Sequence, residues 1–451
     1  METEIIEHFA RFIRETRYEG LSHGVVHQAK RSIFDFVGVA LAGGKVGLAP
    51  LLSDIICGLG GKEEATVIGD GRRLPAIQAA LVNGVLGHTL DMDDGHRYAN
   101  AHPGVVIIPA ALAVGEQANV AGRDLIESVV VGYETFIRIA KTVNPSHLWR
   151  GFHTTGTVGP FGSAAACSKL LDLGEKEIKN AMAIAGLQGA GLLEVTKSGQ
   201  MIKPLHPGKA AQAGVLASLL AKKGAEGPDF ILEGEKGFFR AFSDTKDFQS
   251  GVTSLGDDFE ILKTYFKMHA ACRHVHPALD AVLEIMNENK IAVGDIKGIH
   301  VRTYSVAYSL TGQTREAGTE PAAKFSLPVS VGLMVVYGRA VVDEYTPECI
   351  QNPLVKGIAD KVTITVDAQM DAVYPSKRSA CVTMETEDGV LTHEVAIPRG
   401  DAENPWTEDE LKDKFLLNAQ KVLSQGKANR LHESILNIET RALREVMGQV
   451  Y

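Results

Sequence analysis

Apolar residues recur at helical spacing through most of residues 1–258. In the segment 21–42, for example, Val25, Ala29, Ile33 and Phe36 follow one another at intervals of three or four residues, so they share one face of a helix. The same pattern predicts helices over 74–90, 105–119, 124–141, 156–171, 175–192 and 210–223. Several of these segments are rich in Ala and Gly and carry almost no charge. They therefore belong inside a multilayer helical core.

The pattern changes near residue 258. Alternating β-branched residues predict strands over 260–269, 298–304, 362–366, 378–386 and 389–397, with helices over 277–288, 321–337 and 352–361. Asp388-Gly389 predicts a hairpin turn between the last two strands. Thr407 and Glu410 form a capping box, after which the chain is helical to its end. The predicted fold is mainly α with an α+β second domain: a discontinuous helical domain, 1–258 plus 404–451, encloses an inserted α+β domain, 259–403.

Composition narrows the class of protein. Lys plus Arg number 46 and Asp plus Glu number 55, which gives a formal net charge of −9 and argues against general nucleic-acid binding. The five cysteines lie far apart and form no CxxC pair, so a disulfide framework is excluded and a zinc or iron–sulfur site is disfavoured. The N-terminus is acidic, and no apolar run is long enough to span a membrane. These features predict a cytoplasmic protein without a membrane partner.

The segment 88–104 contains three imidazoles and three carboxylates between two apolar helices. Loops on a rigid scaffold often carry catalytic groups. A solvated connection whose aspartates cap helix ends is the alternative. The six residues are His88, Asp91, Asp93, Asp94, His96 and His102.

A glycine repeat follows His153. Gly156, Gly159 and Gly162 are spaced as in some phosphate-binding loops, but no strand precedes them, so close helix packing is the favoured interpretation. His153 stands just before this helix, where its side chain either faces a cleft or packs as a structural cap.

Residues 199–209 place cations before an Ala-rich helix. Lys203 and His206 stand close to the predicted helix start, where backbone N–H groups favour anions. Lys203 is therefore either a partly buried anion ligand or an exposed loop lysine.

The segment 267–277 offers further polar groups. His274 and His276 would share one face of a strand and could form a metal pair, but no third ligand is specified locally. Arg273 is the stronger candidate, because a guanidinium recognises a carboxylate with two parallel hydrogen bonds. Tyr308, further along, is either a proton donor or a core aromatic.

These segments supply carboxylate, imidazole, lysine and arginine but no cradle for a cofactor. Such an inventory suits proton transfer on an anionic substrate, at a carbon next to a carboxylate. Elimination of water, epimerisation and decarboxylation all share this step.

The four segments together resemble the MmgE/PrpD family, whose members include 2-methylcitrate dehydratases, cis-aconitate decarboxylases and iminodisuccinate epimerase. The matching stretches are LDMDDGHRYANAHPG, GFHTTGTVGPFGSAAACSK, IKPLHPGKAAQAG and KMHAACRHVHPALDA. The resemblance implies a large helical domain with a smaller α+β lid domain, a homodimer, and no metal or organic cofactor.

The resemblance also implies functional residues. Those expected to be catalytic are Asp91, His102, His153, Lys203, His276 (with His274 as the other possible match) and Tyr308. Those expected to bind substrate are Lys203, Arg273, His96 and His206. The first loop departs from the dehydratase and decarboxylase patterns: Gly95-His96 replaces Thr-Trp, and one residue is inserted before His102.

We therefore expect a lyase that acts on a small di- or tricarboxylate, with a hydro-lyase like 2-methylcitrate dehydratase placed first. An epimerase of an amino-dicarboxylate and a decarboxylase of the cis-aconitate type are the alternatives. A non-catalytic carboxylate-binding protein is the alternative from a different class.

Overall fold

The computed structural model describes residues 4–196 and 199–451. The helices of the first part are α1 (Ile5–Glu15), α2 (His23–Gly43), α3 (Leu48–Leu59), α4 (Ala76–His88), α5 (Gly104–Ala118), α6 (Gly122–Val143), α7 (Ser146–Trp149), α8 (Thr154–Leu170), α9 (Glu175–Gly186), α10 (Leu205–Lys222) and α11 (Phe238–Phe242). Those of the second part are α12 (His276–Asn289), α13 (Ser305–Ala307), α14 (Glu320–Ala323), α15 (Leu327–Tyr337), α16 (Pro347–Ile350), α17 (Pro353–Lys361), α18 (Ala368–Ala372), α19 (Glu408–Ala419), α20 (Gln425–Leu436) and α21 (Leu443–Met447). The strands are β1 (Ala65–Thr66), β2 (Arg73–Leu74), β3 (Gly95–His96), β4 (Thr264–Tyr265), β5 (Ile296–Thr303), β6 (Val362–Val366), β7 (Ala380–Thr386) and β8 (Val390–Val395).

The glycine-rich helix α8 lies at the centre of the helical part and packs against α5, α6, α9 and α10. A Cβ added at Gly159 would lie 2.7 Å from the Cβ of Ala210, and one at Gly162 would lie 2.7 Å from the Cβ of Phe136. The glycines therefore let neighbouring helices approach closely, which confirms the packing interpretation of the repeat.

The α+β part is built on one sheet of order β6-β5-β7-β8, in which only the β5–β6 pair is parallel. Its core forms between the sheet and helices α12, α15 and α17. The predicted hairpin is confirmed, because Glu385 pairs with Val390 and the amide of Thr386 donates to the carbonyl of Gly389.

The C-terminal helices return to the first part of the chain. Leu411 and Phe415 belong to the same apolar core as residues 5–266, and α19 packs on α2. Beneath them the buried ammonium of Lys414 lies 2.5 Å from a carboxylate oxygen of Asp35 and donates to the carbonyl of Met92 at 2.8 Å. The predicted fold class, a helical domain with an α+β domain, is confirmed. The domain boundaries stay a prediction.

Two predicted elements are wrong. The segment 260–269 forms a strand only at Thr264–Tyr265, where it pairs with β3. Ile261 is buried as its pattern requires, but its amide donates to the Glu134 carboxylate instead of to a neighbouring strand. The predicted helix 321–337 is divided into α14 and α15, because the Ser326 hydroxyl accepts from the amide of Val329 and so starts a new helix.

Within the described ranges, no single helix combines the length and apolar composition that crossing a membrane requires. The pair α2 and α3, bent by 89°, meets that test jointly, by length and composition only.

Candidate active site

The loop after α4 places Asp91 between two lysines. Its backbone is left-handed, with φ 54°, a conformation that Asp tolerates better than bulkier residues do. One carboxylate oxygen lies 2.5 Å from Lys267 Nζ and the other 3.2 Å from Lys203 Nζ. Burial alone would raise the pKa of Asp91, but the two ammonium groups outweigh it and hold this pKa well below its usual value. Asp91 is therefore ionised and fixes both lysines.

Asp93 joins two histidines by a single oxygen. Its Oδ2 lies 2.9 Å from His88 Nδ1 and 3.1 Å from His102 Nδ1. His102 Nδ1 also lies 2.7 Å from the carbonyl oxygen of Asp94. Because both of its neighbours are acceptors, His102 Nδ1 carries a proton. Its Nε2 is then the ring nitrogen that can take up or release one.

Asp94 anchors the loop in the core. Its carboxylate accepts hydrogen bonds from the Tyr133 hydroxyl at 2.7 Å and from the Gly104 amide at 2.9 Å. Burial raises the pKa of Asp94 to about 7. Its role is to hold the loop in place, since it does not line the cavity described below.

Burial lowers the pKa of His88 to about 4. The unfolded chain takes up this proton near the usual value of about 6.5, so His88 makes the folded state less stable as the pH falls from 6.5 to 4 and contributes nothing above that range. Between pH 7 and pH 4 we expect wild type to lose about 3 kcal/mol more unfolding free energy than His88→Gln. Urea unfolding at several pH values measures this difference, and His300→Gln, on the exposed sheet, controls for the loss of a histidine. Parallel pH curves for wild type and His88→Gln would contradict the prediction.

His153 is held by a second imidazole at the start of α8. Its Nδ1 lies 2.9 Å from His206 Nδ1, so one ring donates to the other. Burial, reinforced by the charge of Lys203, holds the pKa of His153 well below its usual value. His153 is therefore a neutral imidazole at pH 7.

The α+β part contributes another imidazole. His274 Nδ1 lies 2.6 Å from the buried Tyr304 hydroxyl. Burial, with the charge of Arg378 next, holds the pKa of His274 well below its usual value. This ring is thus also neutral at pH 7, and its orientation is fixed by Tyr304.

Two buried arginines flank the ring of Tyr265. The guanidinium carbons of Arg273 and Arg378 lie 4.7 Å and 5.6 Å from the ring centroid. The ring fits here because Gly95 has no side chain: a Cβ at that position would lie 2.3 Å from the Tyr265 hydroxyl. Arg273 also lies 3.4 Å from Asp401.

Several of the residues described above line one cavity of about 280 Å³ between the two parts of the chain. Among the described residues that line it, Asp91 is the only carboxylate, and its charge is already balanced by lysine. The lining is therefore cationic and suits a small anion. Its polar and titratable members are Asp91, Asn100, His102, His153, Thr196, Lys203, Tyr265, Cys272, Arg273, His274, Ser309 and Arg378.

Six of the residues singled out from the sequence meet at this cavity: Asp91, His102, His153, Lys203, Arg273 and His274, the last of which was the other possible match to His276. The others lie outside its lining. His96 is buried against Glu260, and His206 contacts His153 from behind. His276 contacts Arg273, and Tyr308 is 38% exposed beside the lining residue Ser309.

Sequence reasoning missed Lys267 and Arg378, and it placed His274 second to His276. Lys267 stands in an apolar stretch that resembled a strand, yet it is fully buried on Asp91. The expectation of a strand through His274 and His276 is wrong, because 273–275 is a 3₁₀ turn and His276 begins α12. The two imidazoles have different partners, Tyr304 and Arg273, so they do not form a metal pair.

One group among the described residues has the geometry to hold a metal ion: His88, Asp93 and His102 offer ligand atoms within 4.8 Å of one another. The same Asp93 oxygen hydrogen-bonds both rings, and His102 Nδ1 also donates to a backbone carbonyl. A metal would have to replace these hydrogen bonds. Metal independence stays a prediction.

Comparison with known proteins covers nearly the whole chain. Residues 7–251 match the MmgE/PrpD N-terminal domain, and residues 269–440 match the MmgE/PrpD C-terminal domain. The chain is 26% identical to the cis-aconitate decarboxylase-like protein oryM of Aspergillus oryzae, over 98% of this chain and 96% of that protein. It is 29% identical to human cis-aconitate decarboxylase, over 96% of this chain and 92% of the human protein. It is 23% identical to 2-methylcitrate dehydratase of Escherichia coli, over 61% of this chain and 59% of the dehydratase. The two domain matches, in order along one chain, show that this protein belongs to the MmgE/PrpD family.

Proposed function

We propose that the protein is a lyase that acts on a small di- or tricarboxylate without help from a cofactor. The observation that carries this proposal is the cavity, which is lined by cations and imidazoles. Among its described lining residues Asp91 is the only carboxylate, and it is already paired with two lysines. Such a lining attracts an anion and moves a proton within it. The relatives named as decarboxylases and dehydratases support the lyase class.

We assign the substrate carboxylate next to the reacting carbon to Lys203 and Arg273. Their charges stabilise the negative charge that develops as the neighbouring carbon loses a proton or carbon dioxide. His102 carries the proton, because ionised Asp93 holds its Nδ1–H and stabilises the ring when it becomes charged. His153 and His274 are neutral rings that line the same cavity.

Decarboxylation is the first candidate reaction. In this step the carbon–carbon bond to one carboxylate breaks, its electron pair stays on the substrate, carbon dioxide leaves, and a proton from the enzyme completes the product. The relatives named as cis-aconitate decarboxylases match over nine-tenths of this chain, whereas the 2-methylcitrate dehydratase matches over 61%. This order reverses the preference that the sequence motifs gave.

Dehydration is the second candidate, favoured by the match to the dehydratases. It requires one group to remove a proton and another to protonate the departing hydroxyl. His102 and His153 lie on the same cavity and supply two such groups.

Proton NMR in D₂O with cis-aconitate, citrate, 2-methylcitrate and iminodisuccinate tests the proposal. We expect loss of carbon dioxide from cis-aconitate, or a new olefinic signal from a hydroxy acid if the protein is a hydro-lyase. Deuterium entering an α-carbon without either change would identify an epimerase.

His102→Asn should abolish each of these changes while circular dichroism stays constant, and unchanged turnover in that variant would contradict the role of His102. If wild type leaves the spectra of all four acids unaltered, the proposal that it is a lyase acting on these acids is contradicted.

We also propose that the protein is a homodimer, as the family resemblance implies. Sedimentation equilibrium measures this directly, and a monomer mass of 48.4 kDa across concentrations would contradict it.

A further inference from the structure

One buried arginine at the cavity, Arg378, forms no ion pair with any carboxylate in the part of the chain that the structure describes. Arg378 is 2% exposed, and its side chain lines the cavity just before β7 begins. Its Nη2 donates to the carbonyl of Arg97 at 3.0 Å and approaches the Asn100 side-chain oxygen at 3.4 Å. Both of these acceptors are neutral. In residues 4–196 and 199–451, no carboxylate oxygen lies within 4.0 Å of this guanidinium, and its buried Nε has no hydrogen-bond partner.

The neighbouring arginines Arg97 and Arg273 share the unpartnered Nε, but they have carboxylate partners. Arg273 lies 3.4 Å from Asp401, and Arg97 lies 3.8 Å from the same carboxylate and also contacts Glu403. Asp401 and Glu403 therefore make their ion-pair contacts with these two guanidiniums, and the charge of Asp401 acts on Arg378 only from beyond 4.0 Å. A cation that is removed from water without a counter-ion is costly, and the cost is relieved when an anion binds beside it.

The surroundings of Arg378 form a built site. The Tyr265 ring covers the guanidinium on one side, and Asn100, His274 and Arg273 line the cavity next to it. Lys203, in contrast, precedes α10 in the helical part and contacts Asp91. The two cations thus reach the cavity from different parts of the fold.

We propose that Arg378 binds a second carboxylate of the substrate, remote from the reacting carbon, and so selects di- and tricarboxylates over monocarboxylates. A guanidinium fits this task because its fork of N–H groups matches a carboxylate. A ligand without that carboxylate leaves the buried guanidinium unpaired, so the site discriminates strongly against it. The inference rests on the proposed function, since it places the same substrate in the same cavity.

Kinetics of Arg378→Gln and Arg378→Lys test the assignment. We expect Arg378→Gln to raise KM by about tenfold or more while kcat changes by less than about threefold, because a remote carboxylate is held equally in the ground and transition states. Arg378→Lys should recover part of the lost affinity. Arg302→Gln is the matched control: Arg302 lies on the adjacent strand β5, pairs with Asp367 and does not line the cavity. A KM within twofold of wild type in Arg378→Gln would overturn the assignment.

Ligand binding tests the assignment independently of turnover, and a wild-type structure with the ligand tests it independently of the folding of the variants. Titration calorimetry compares the unreactive propane-1,2,3-tricarboxylate with butyrate on wild type and Arg378→Gln. We expect the variant to lose at least tenfold in affinity for the tricarboxylate and little for butyrate. A crystal structure of wild type with the tricarboxylate should show a carboxylate within hydrogen-bond distance of Arg378.

The two proposals fail in different ways. Tight tricarboxylate binding that depends on Arg378, with no reaction of any acid in the NMR panel, would overturn the lyase and keep the subsite. Turnover by wild type with the tricarboxylate held away from Arg378 would overturn the subsite and keep the lyase.

Discussion

Replacing Lys203 with Met should lower kcat by about 10²–10³-fold and leave the fold intact. Lys203 Nζ contacts one oxygen of Asp91, and its side chain, 13% exposed, lines the cavity. In the proposed reaction this ammonium faces the carboxylate on which negative charge develops. Its loss therefore removes stabilisation that is strongest in the transition state. Asp91 keeps Lys267 as a partner in this variant, so no buried charge is left unpaired.

Steady-state kinetics with the acid identified by NMR, alongside thermal unfolding, measures both parts of this prediction. Lys209→Met is the matched control, because Lys209 stands on α10, is exposed and contacts only Gln212 among the described residues. Equal kcat in wild type and Lys203→Met would remove Lys203 from the mechanism. A large loss of stability instead would assign Lys203 to the structure.

Replacing Lys267 with Met should lower the free energy of unfolding by about 3–5 kcal/mol and abolish activity. Lys267 is fully buried, and its ammonium binds both the carboxylate and the backbone carbonyl of Asp91. Without it, one oxygen of a buried carboxylate loses a charged partner. The loop that carries Asp91 also loses a hydrogen bond to its backbone.

The double variant Asp91→Asn/Lys267→Met separates the two effects. It removes both charges, so it should recover a substantial part of the lost stability while remaining inactive. Lys421→Met, which removes a partly exposed pair with Asp343, should change stability by at most about 1 kcal/mol. Urea unfolding measures all three variants. A loss below 1 kcal/mol in Lys267→Met would show that the buried pair contributes little.

Local signals were sufficient for most of the fold. The apolar period placed the long helices within about six residues of their observed bounds, and β6 was predicted at its observed residues, 362–366. The capping box of Thr407 and Glu410 was also predicted and is present. The prediction of strands was wrong where buried residues do not form backbone hydrogen bonds with a neighbouring strand. Residues 260–269 have the burial of a strand, but most of their backbone hydrogen bonds do not go to a neighbouring strand.

Most of the correctly predicted site residues stood in polar segments that also contain Gly or Pro, whereas Arg273 was predicted from the chemistry of its guanidinium. Asp91, His102, His153 and Lys203 carry that signal, and all four line the cavity. Lys267 and Arg378 carry none, because each becomes part of the site through tertiary contacts: Lys267 through Asp91, and Arg378 through the pairing of β7 beside β5. His274 and His276 are two residues apart. The 3₁₀ turn at 273–275 and the start of α12 at His276 determine which of the two side chains lines the cavity, and the sequence pattern did not predict this turn.

The buried lysine of α19 has a consequence for synthesis of the protein on the ribosome. Lys414 neutralises Asp35 and holds the carbonyl of Met92, the residue between Asp91 and Asp93. A nascent chain that has released the whole α+β part still lacks this ammonium. Asp35 is then without its buried counter-ion, and the carbonyl of Met92 lacks its hydrogen bond from Lys414. We therefore expect the loop that carries Asp91 and Asp93 to reach its observed arrangement only after α19 has emerged, late in synthesis of the chain.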